Sequence, residues 1–182
     1  MKKIGIIVGS LRSGSYSKMV ANYLKTILDK DYAVSLIGVG GLPLYNEDID
    51  HKDIVPSSYN EFRKLIKEQD AFIFVTPEYN RGIPGALKNA IDVASRPYGE
   101  NVWDNKKAAI VSQSPGSIGG FGAAVQLRPV LAVLNMPVMP SPEVYLSNVY
   151  LAFDDSGNLI NEKVKDILSD FVDSYKKEPK LL

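Results

Sequence analysis

Apolar runs and amphipathic segments alternate along the whole chain. Residues 4–8 form a short apolar run that stops at Gly9-Ser10, and Met19, Val20, Tyr23, Leu24, Ile27 and Leu28 then recur with helical spacing. A second strand fits 33–39. Ser58 and Glu61 have capping-box spacing and predict a helix that turns Tyr59, Phe62, Leu65 and Ile66 inward. The third strand, 71–76, is expected to end where Pro77 removes a ladder donor. Pro84 suits the first turn of a helix running to about Ser95, because its missing N–H costs nothing there. A fourth strand fits 107–112. The helical pattern that follows reaches Leu134 but contains Arg128-Pro129, which predicts a kink or a division. The last strand is placed at 137–139, and the stretch 143–158 takes no definite assignment. Asn161 caps a final helix burying Val164, Ile167, Leu168, Phe171, Val172 and Tyr175, and the tail 176–182 is expected to fray. Five strands and five helices in alternation predict an α/β fold, a parallel sheet covered by helices on both faces.

Length and composition narrow the chemistry. At 182 residues the chain fits one domain, 1–182, able to bury about 70% of its unfolded surface. Its 21 basic and 21 acidic residues cancel and neither sign forms a block, which points away from nucleic acid and anionic membranes and toward a small molecule. Cysteine is absent, so a thiol nucleophile, a redox dithiol and a thiolate-held iron–sulfur cluster are excluded; redox chemistry would need a bound cofactor. The apolar run after Met1-Lys2-Lys3 is too short for a signal-peptide core or a membrane span, so a cytoplasmic protein is expected. The one histidine, His51, lies between Asp50 and Lys52 in a polar loop and reads as solvated, which leaves no Ser/His/Asp triad and no metal-ligand spacing.

In a parallel sheet the loops after the strands gather at its carboxyl edge, where ligands bind at the topological switch point. Three loops meet that description, 9–18, 76–82 and 112–120. The first, Gly9-Ser10-Leu11-Arg12-Ser13-Gly14-Ser15-Tyr16-Ser17-Lys18, brings hydroxyls, a guanidinium and free backbone N–H groups to the start of a helix, the donors a phosphate needs. It has neither the Walker A pattern nor the G-x-G-x-x-G fingerprint, and a phosphate monoester such as that of FMN fits better than a nucleoside triphosphate. Polar turn chemistry with helix capping by Ser15 or Ser17 is the other reading. The second loop follows Thr76, with a fixed backbone at Pro77 and a flat surface in Tyr79, a combination suited to an isoalloxazine; alternatively Tyr79 caps the core and Glu78 pairs with Arg81 in solvent. The third, Ser114-Pro115-Gly116-Ser117-Ile118-Gly119-Gly120, permits close backbone approach to a ligand or is simply a flexible turn. Trp103 either covers the ligand or anchors a loop.

The motifs Gly-Ser-Leu-Arg-x-x-Ser, at 9–15, and Pro-Glu-Tyr-Asn-x-x-x-Pro-Gly-x-Leu-Lys-Asn-Ala-Ile-Asp, at 77–92, are together highly specific. In them the chain closely resembles the NADPH-dependent FMN reductase family of flavodoxin-like proteins, which includes quinone, azo-dye and chromate reductases. The resemblance implies a five-stranded sheet of order 2-1-3-4-5. It implies that Ser10, Arg12, Ser15 and Ser17 hold the FMN phosphate, that Pro77, Glu78, Tyr79 and Asn80 lie against the isoalloxazine, and that Ser114 and Gly116 contact the flavin from the third loop. The family segment Leu-Pro-Leu-Tyr-Asn-Glu-Asp stands at 42–48, which places Leu44 and Tyr45, with Tyr79, at the substrate pocket beside a partner subunit. Two departures stand out: Ser17 replaces a frequent asparagine, and Pro129 falls in the helix that serves the family's oligomer contact.

The activity so implied is passage of hydride from NADPH or NADH through FMN to a quinone, azo compound, flavin or metal oxyanion such as chromate, in a homodimer or homotetramer. The flavin carries the chemistry and the protein positions it, which accounts for the lack of a visible catalytic acid, base or nucleophile. A flavodoxin-type electron carrier or flavin redox sensor is the alternative, although carriers that dock by charge are strongly acidic and this chain is neutral. A phosphate-binding module without flavin is a third reading, against which the second motif argues.

Overall fold

The computed structural model describes residues 1–51 and 53–177. Five parallel strands, β1 (Lys3–Val8), β2 (Ala33–Gly38), β3 (Ala71–Pro77), β4 (Lys107–Gln113) and β5 (Val144–Leu146), form one sheet in the order β2-β1-β3-β4-β5. The helices between and after them are α1 (Tyr16–Leu28), α2 (Ser57–Lys67), α3 (Gly85–Ala94), α4 (Phe121–Val133) and α5 (Glu162–Lys177). Right-handed parallel crossovers require such helices, and strands buried on both faces read as unbroken apolar runs, as β3 and β4 do.

Alternation along the strands divides the interior into two cores. Ile4, Ile6 and Val8 of β1, with Ile73 and Val75 of β3, pack against Val20, Leu24 and Leu28 of α1 and Leu168, Phe171 and Tyr175 of α5. Ile7, Phe72, Phe74 and Ile110 face the other way, toward Tyr59, Phe62 and Ile66 of α2, Leu87 and Ile91 of α3, and Leu127 and Leu131 of α4. Gly5 makes room on this second face: a Cβ there would lie 2.7 Å from the Phe72 ring. Trp103 fills the space beyond, edge-on to Phe72 at 5.0 Å and donating its indole N–H to the Ile91 carbonyl at 3.0 Å. It is wholly buried, an anchor and not a ligand cover.

Four expectations are corrected. The fifth strand is not at 137–139, where Val138 makes only an isolated bridge to Ala108, but at Val144–Leu146, inside the stretch left unassigned. The capping box is not used: α2 begins at Ser57 with Pro56 as its N-cap and no side-chain cap, so Ser58 lies within the first turn. Pro84 is the N-cap of α3, one residue ahead of the helix. Pro129 neither divides nor ends α4. Pro129 is exposed, so its ring crowds no core residue. Asn161 does cap α5, its Oδ1 accepting from the Val164 N–H at 3.2 Å. Lys176 and Lys177 still belong to α5, and the rest of the tail expected to fray lies outside the described residues.

Candidate functional site

β1 turns to β2 on one side and the chain returns to β3 on the other, so the switch point of the sheet lies between the carboxyl ends of β1 and β3. A cleft of about 380 Å³ opens there. Such a volume falls within the range of small-molecule sites. All three loops reach it: Ser10, Arg12, Ser15 and Tyr16 from the first, Pro77, Glu78 and Tyr79 from the second, and Gln113 with Pro115 at the third.

The first loop leaves β1 at Gly9, whose N–H donates to the Val75 carbonyl at 2.9 Å. A Cβ at Gly9 would lie 3.0 Å from Leu87 and 3.2 Å from the Val75 oxygen, which keeps the turn tight against β3. The Ser15 hydroxyl is the N-cap of α1 and accepts from the Lys18 N–H, so the capping reading holds for Ser15 while the residue also lines the cleft. Arg12 is exposed. Its guanidinium donates to the Gly14 carbonyl at 2.6 Å and lies 5.5 Å from the Tyr16 ring centre, which aims a charged fork along the cleft wall. The first turn of α1 carries no acidic residue, so its positive end is unopposed.

The second loop is a two-residue turn. Tyr79 and Gly82 exchange both backbone hydrogen bonds, at 3.0 and 2.9 Å, and Asn80 and Arg81 have φ of 50° and 65°, the left-handed pair of a type I′ turn. Tyr79 is 56% exposed beside the cleft and therefore does not cap the core. Glu78 accepts from the Ala123 N–H at 3.3 Å, at the start of α4, while Arg81 stands 3.8 Å from its other oxygen. The N-cap of α4, Gly120, has no side chain to offer, and the Glu78 carboxylate replaces it from across the loop. Gln126 of α4 accepts from the Ile83 N–H at 2.6 Å. The aromatic turn is thus held to α4 at both ends.

The remaining predicted residues divide. Ser17 is fully buried outside the cleft lining, its hydroxyl accepting from Gln113 Nε2 at 2.9 Å. Asn80 takes the turn position and does not line the cleft. Ser114 and Gly116 flank Pro115 without lining the cleft themselves; the Gly116 N–H donates to the Ser114 hydroxyl at 2.8 Å. Gly119 and Gly120, with φ of 65° and 79°, are required by close approach to the protein's own chain: a Cβ would lie 2.7 Å from the Tyr145 carbonyl and 3.0 Å from the Gln113 oxygen respectively. Leu44 and Tyr45 lie in a loop fixed by Asn89 of α3, which donates to the Leu42 and Pro43 carbonyls and accepts from the Tyr45 N–H at 2.8 Å. Leu44 is 81% exposed, whereas Tyr45 is half-buried on the Tyr59 ring. Burial, then the Asp50 and Glu47 charges, push the Tyr45 phenol above its ordinary pKa, so it remains a neutral donor. His51 is exposed. Tyr16, Gln113 and Pro115 fall within the three expected loops but were not singled out; the sheet register sets Gln113 beside Pro77, at the cleft. Among the described residues no cluster of metal-ligating side chains occurs and no helix is long and apolar enough to cross a membrane.

Comparison with known proteins agrees with this geometry. The family model described as NADPH-dependent FMN reductase matches residues 2–150. The chain is 48% identical, over 94% of its length and 91% of the relative's, to a quinone reductase of Pseudomonas putida. It is 40% identical, over 95% and 93%, to a 2-hydroxy-1,4-benzoquinone reductase of a Burkholderia species. A solved flavoenzyme, an NAD(P)H:(acceptor) oxidoreductase from Paracoccus denitrificans, superposes with a TM-score of 0.88 at 36% identity, covering 96% of this chain and 95% of that one.

Proposed function

The chain belongs to the NADPH-dependent FMN reductase family, and from that premise we infer that it holds FMN in the cleft between β1 and β3 and reduces quinones with NAD(P)H. One observation carries the assignment: a single cleft joins a phosphate-type donor set, Ser10, Arg12 and the start of α1, to an exposed tyrosine on a rigid turn. The donor set fits the group. Arg12 supplies charge-assisted hydrogen bonds to a phosphate, and Pro77 and Tyr79 offer flat surface to a ring. FMN held there would supply two-electron redox chemistry between NAD(P)H and an acceptor, with the acceptor's second proton drawn from solvent. The protein's own contribution would be to seat the ring against Pro77 and Tyr79.

Within that reading, quinones are the acceptor class best supported, since two relatives carry that activity in their names. We propose that azo compounds, free flavins and chromate are accepted as secondary substrates, because each needs only access to reduced flavin. We further propose a cytoplasmic homodimer or homotetramer in which Leu44 and Tyr45 of one subunit border the pocket of its partner. Mixing the FMN-loaded protein with NADPH, and separately NADH, without oxygen tests the assignment. Rapid loss of the flavin absorbance, restored by a benzoquinone, is expected. Bound flavin that neither nucleotide bleaches would overturn it in favour of an electron carrier.

A further inference from the structure

We propose that Gln113 is a cofactor-positioning residue, whose side-chain oxygen accepts a hydrogen bond from a hydroxyl of the ribityl chain joining the flavin ring to its phosphate. The proposal rests on the flavin reading above. Gln113 closes β4, in register with Pro77 of β3 and Leu146 of β5, so its backbone is fixed on both sides. Its amide nitrogen donates to the Ser17 hydroxyl on α1 at 2.9 Å, which ties the side chain to the element carrying the phosphate loop. The residue is 4% exposed and lines the cleft, yet its Oε1 is buried and has no hydrogen-bond partner among the described residues.

An amide oxygen left in that state costs its full desolvation, and the large majority of buried polar side-chain atoms in native proteins have a partner. The oxygen is an acceptor and needs a donor. A phosphate near neutral pH offers mainly acceptors, and the first loop already supplies its partners. The ring belongs with Pro77 and Tyr79. Gln113 touches α1 through Ser17 and neighbours Pro77 in the sheet, so what passes it is the segment between phosphate and ring, which carries hydroxyl donors. Ser17 accordingly acts at one remove: it sets the direction of the amide.

Fluorescence titration of the flavin-free protein with riboflavin, which has ring and ribityl chain, and with lumiflavin, which has the ring alone, tests this. Gln113→Met, which fills the same space without the acceptor, is expected to bind riboflavin about tenfold more weakly and lumiflavin as the unaltered protein does. Gln113→Asn, which withdraws the oxygen by one methylene, is expected to show the same riboflavin-selective loss, so the test stands even where Gln113→Met fails to fold. An equal loss for both flavins, or no loss for riboflavin, would overturn the role of Gln113 while leaving the flavin reading intact. Unaltered protein that binds neither FMN nor riboflavin would overturn both.

Discussion

Arg12 uses one of its N–H groups on the Gly14 carbonyl and rests on the Tyr16 ring, which leaves the rest of the fork for a ligand. Because the side chain is exposed, its removal touches no core. Arg12→Ala is expected to weaken FMN binding by about ten- to a hundredfold, the range of a hydrogen bond to a charged group, and to leave riboflavin affinity nearly unchanged. Fluorescence titration with both flavins checks this, and equal FMN affinity would refute the phosphate assignment. Tyr79→Ala should separate function from folding in the same way. At 56% exposure the ring contributes little to stability, so the melting temperature should move by no more than a few degrees while flavin binding or turnover falls at least severalfold. Motif reading selected Ser10, Arg12, Ser15, Pro77, Glu78 and Tyr79, and the fold brings them together because short loops leave adjacent strands at one sheet edge. It had no means of separating Ser15, in the cleft, from Ser17, two residues on and buried, since that depends on where α1 begins to turn. Gln113 lay within the bounds of the third loop but was not singled out, because its importance lies in a missing partner, which only three dimensions reveal.

The aromatic turn and α4 form one mechanical unit. Gly122 lies where a Cβ would stand 2.8 Å from the Arg81 oxygen and 3.0 Å from Glu78 Oε2. Alanine there would gain about 1 kcal/mol of helix propensity but would overpack against backbone, at about 1–3 kcal/mol, so the clash wins. Gly122→Ala is expected to lower the melting temperature by a few degrees and, by displacing the turn that carries Tyr79, to weaken FMN binding; calorimetry and the same titration read the two effects. The loop bearing Leu44 and Tyr45 is held differently. Arg63 grips Asp50 through two hydrogen bonds of 2.8 and 2.6 Å and also donates to the Val93 carbonyl, and the Asp50 carboxylate is 3% exposed. Arg63→Ala leaves that buried carboxylate without its cation, a loss of about 3–5 kcal/mol, seen in denaturant titration as a lower midpoint. Elements with long periodic signals, β1 to β4 and all five helices, were legible because burial dictates them. β5 was not. It is three residues long, and the apolar residues near 137–139 compete with it on equal terms until the position of α4 is known. Long-range ties such as Asn89 to the 42–45 segment leave no local trace either.

α4 is largely apolar, with Gln126 and Arg128 as its polar side chains, and one stripe of it lies open: Phe121, Val125, Pro129, Ala132 and Val133 follow each other along a single face. Phe121, Val125 and Val133 are 48%, 46% and 82% exposed, and Ile118 and Tyr79 are 46% and 56% exposed. An exposed apolar stripe of this kind would suit the subunit contact proposed above, and zero net charge adds no overall repulsion between like chains. Pro129 then causes no conflict. It lies on the stripe and adds rigid apolar surface to it. Such an interface would also close over the aromatic turn that α4 holds through Glu78 and Gln126, so assembly and flavin retention become linked. Val125→Glu places a charge within the stripe without touching the cleft or either core. Light scattering is expected to show a mass at least twofold lower than that of the unaltered protein, and dilution should no longer shift its melting temperature. FMN should be bound more weakly by the separated subunit. A mass unchanged by the substitution would place the contact elsewhere on the surface, and a monomeric variant that keeps full FMN affinity would break the link between α4 pairing and the site.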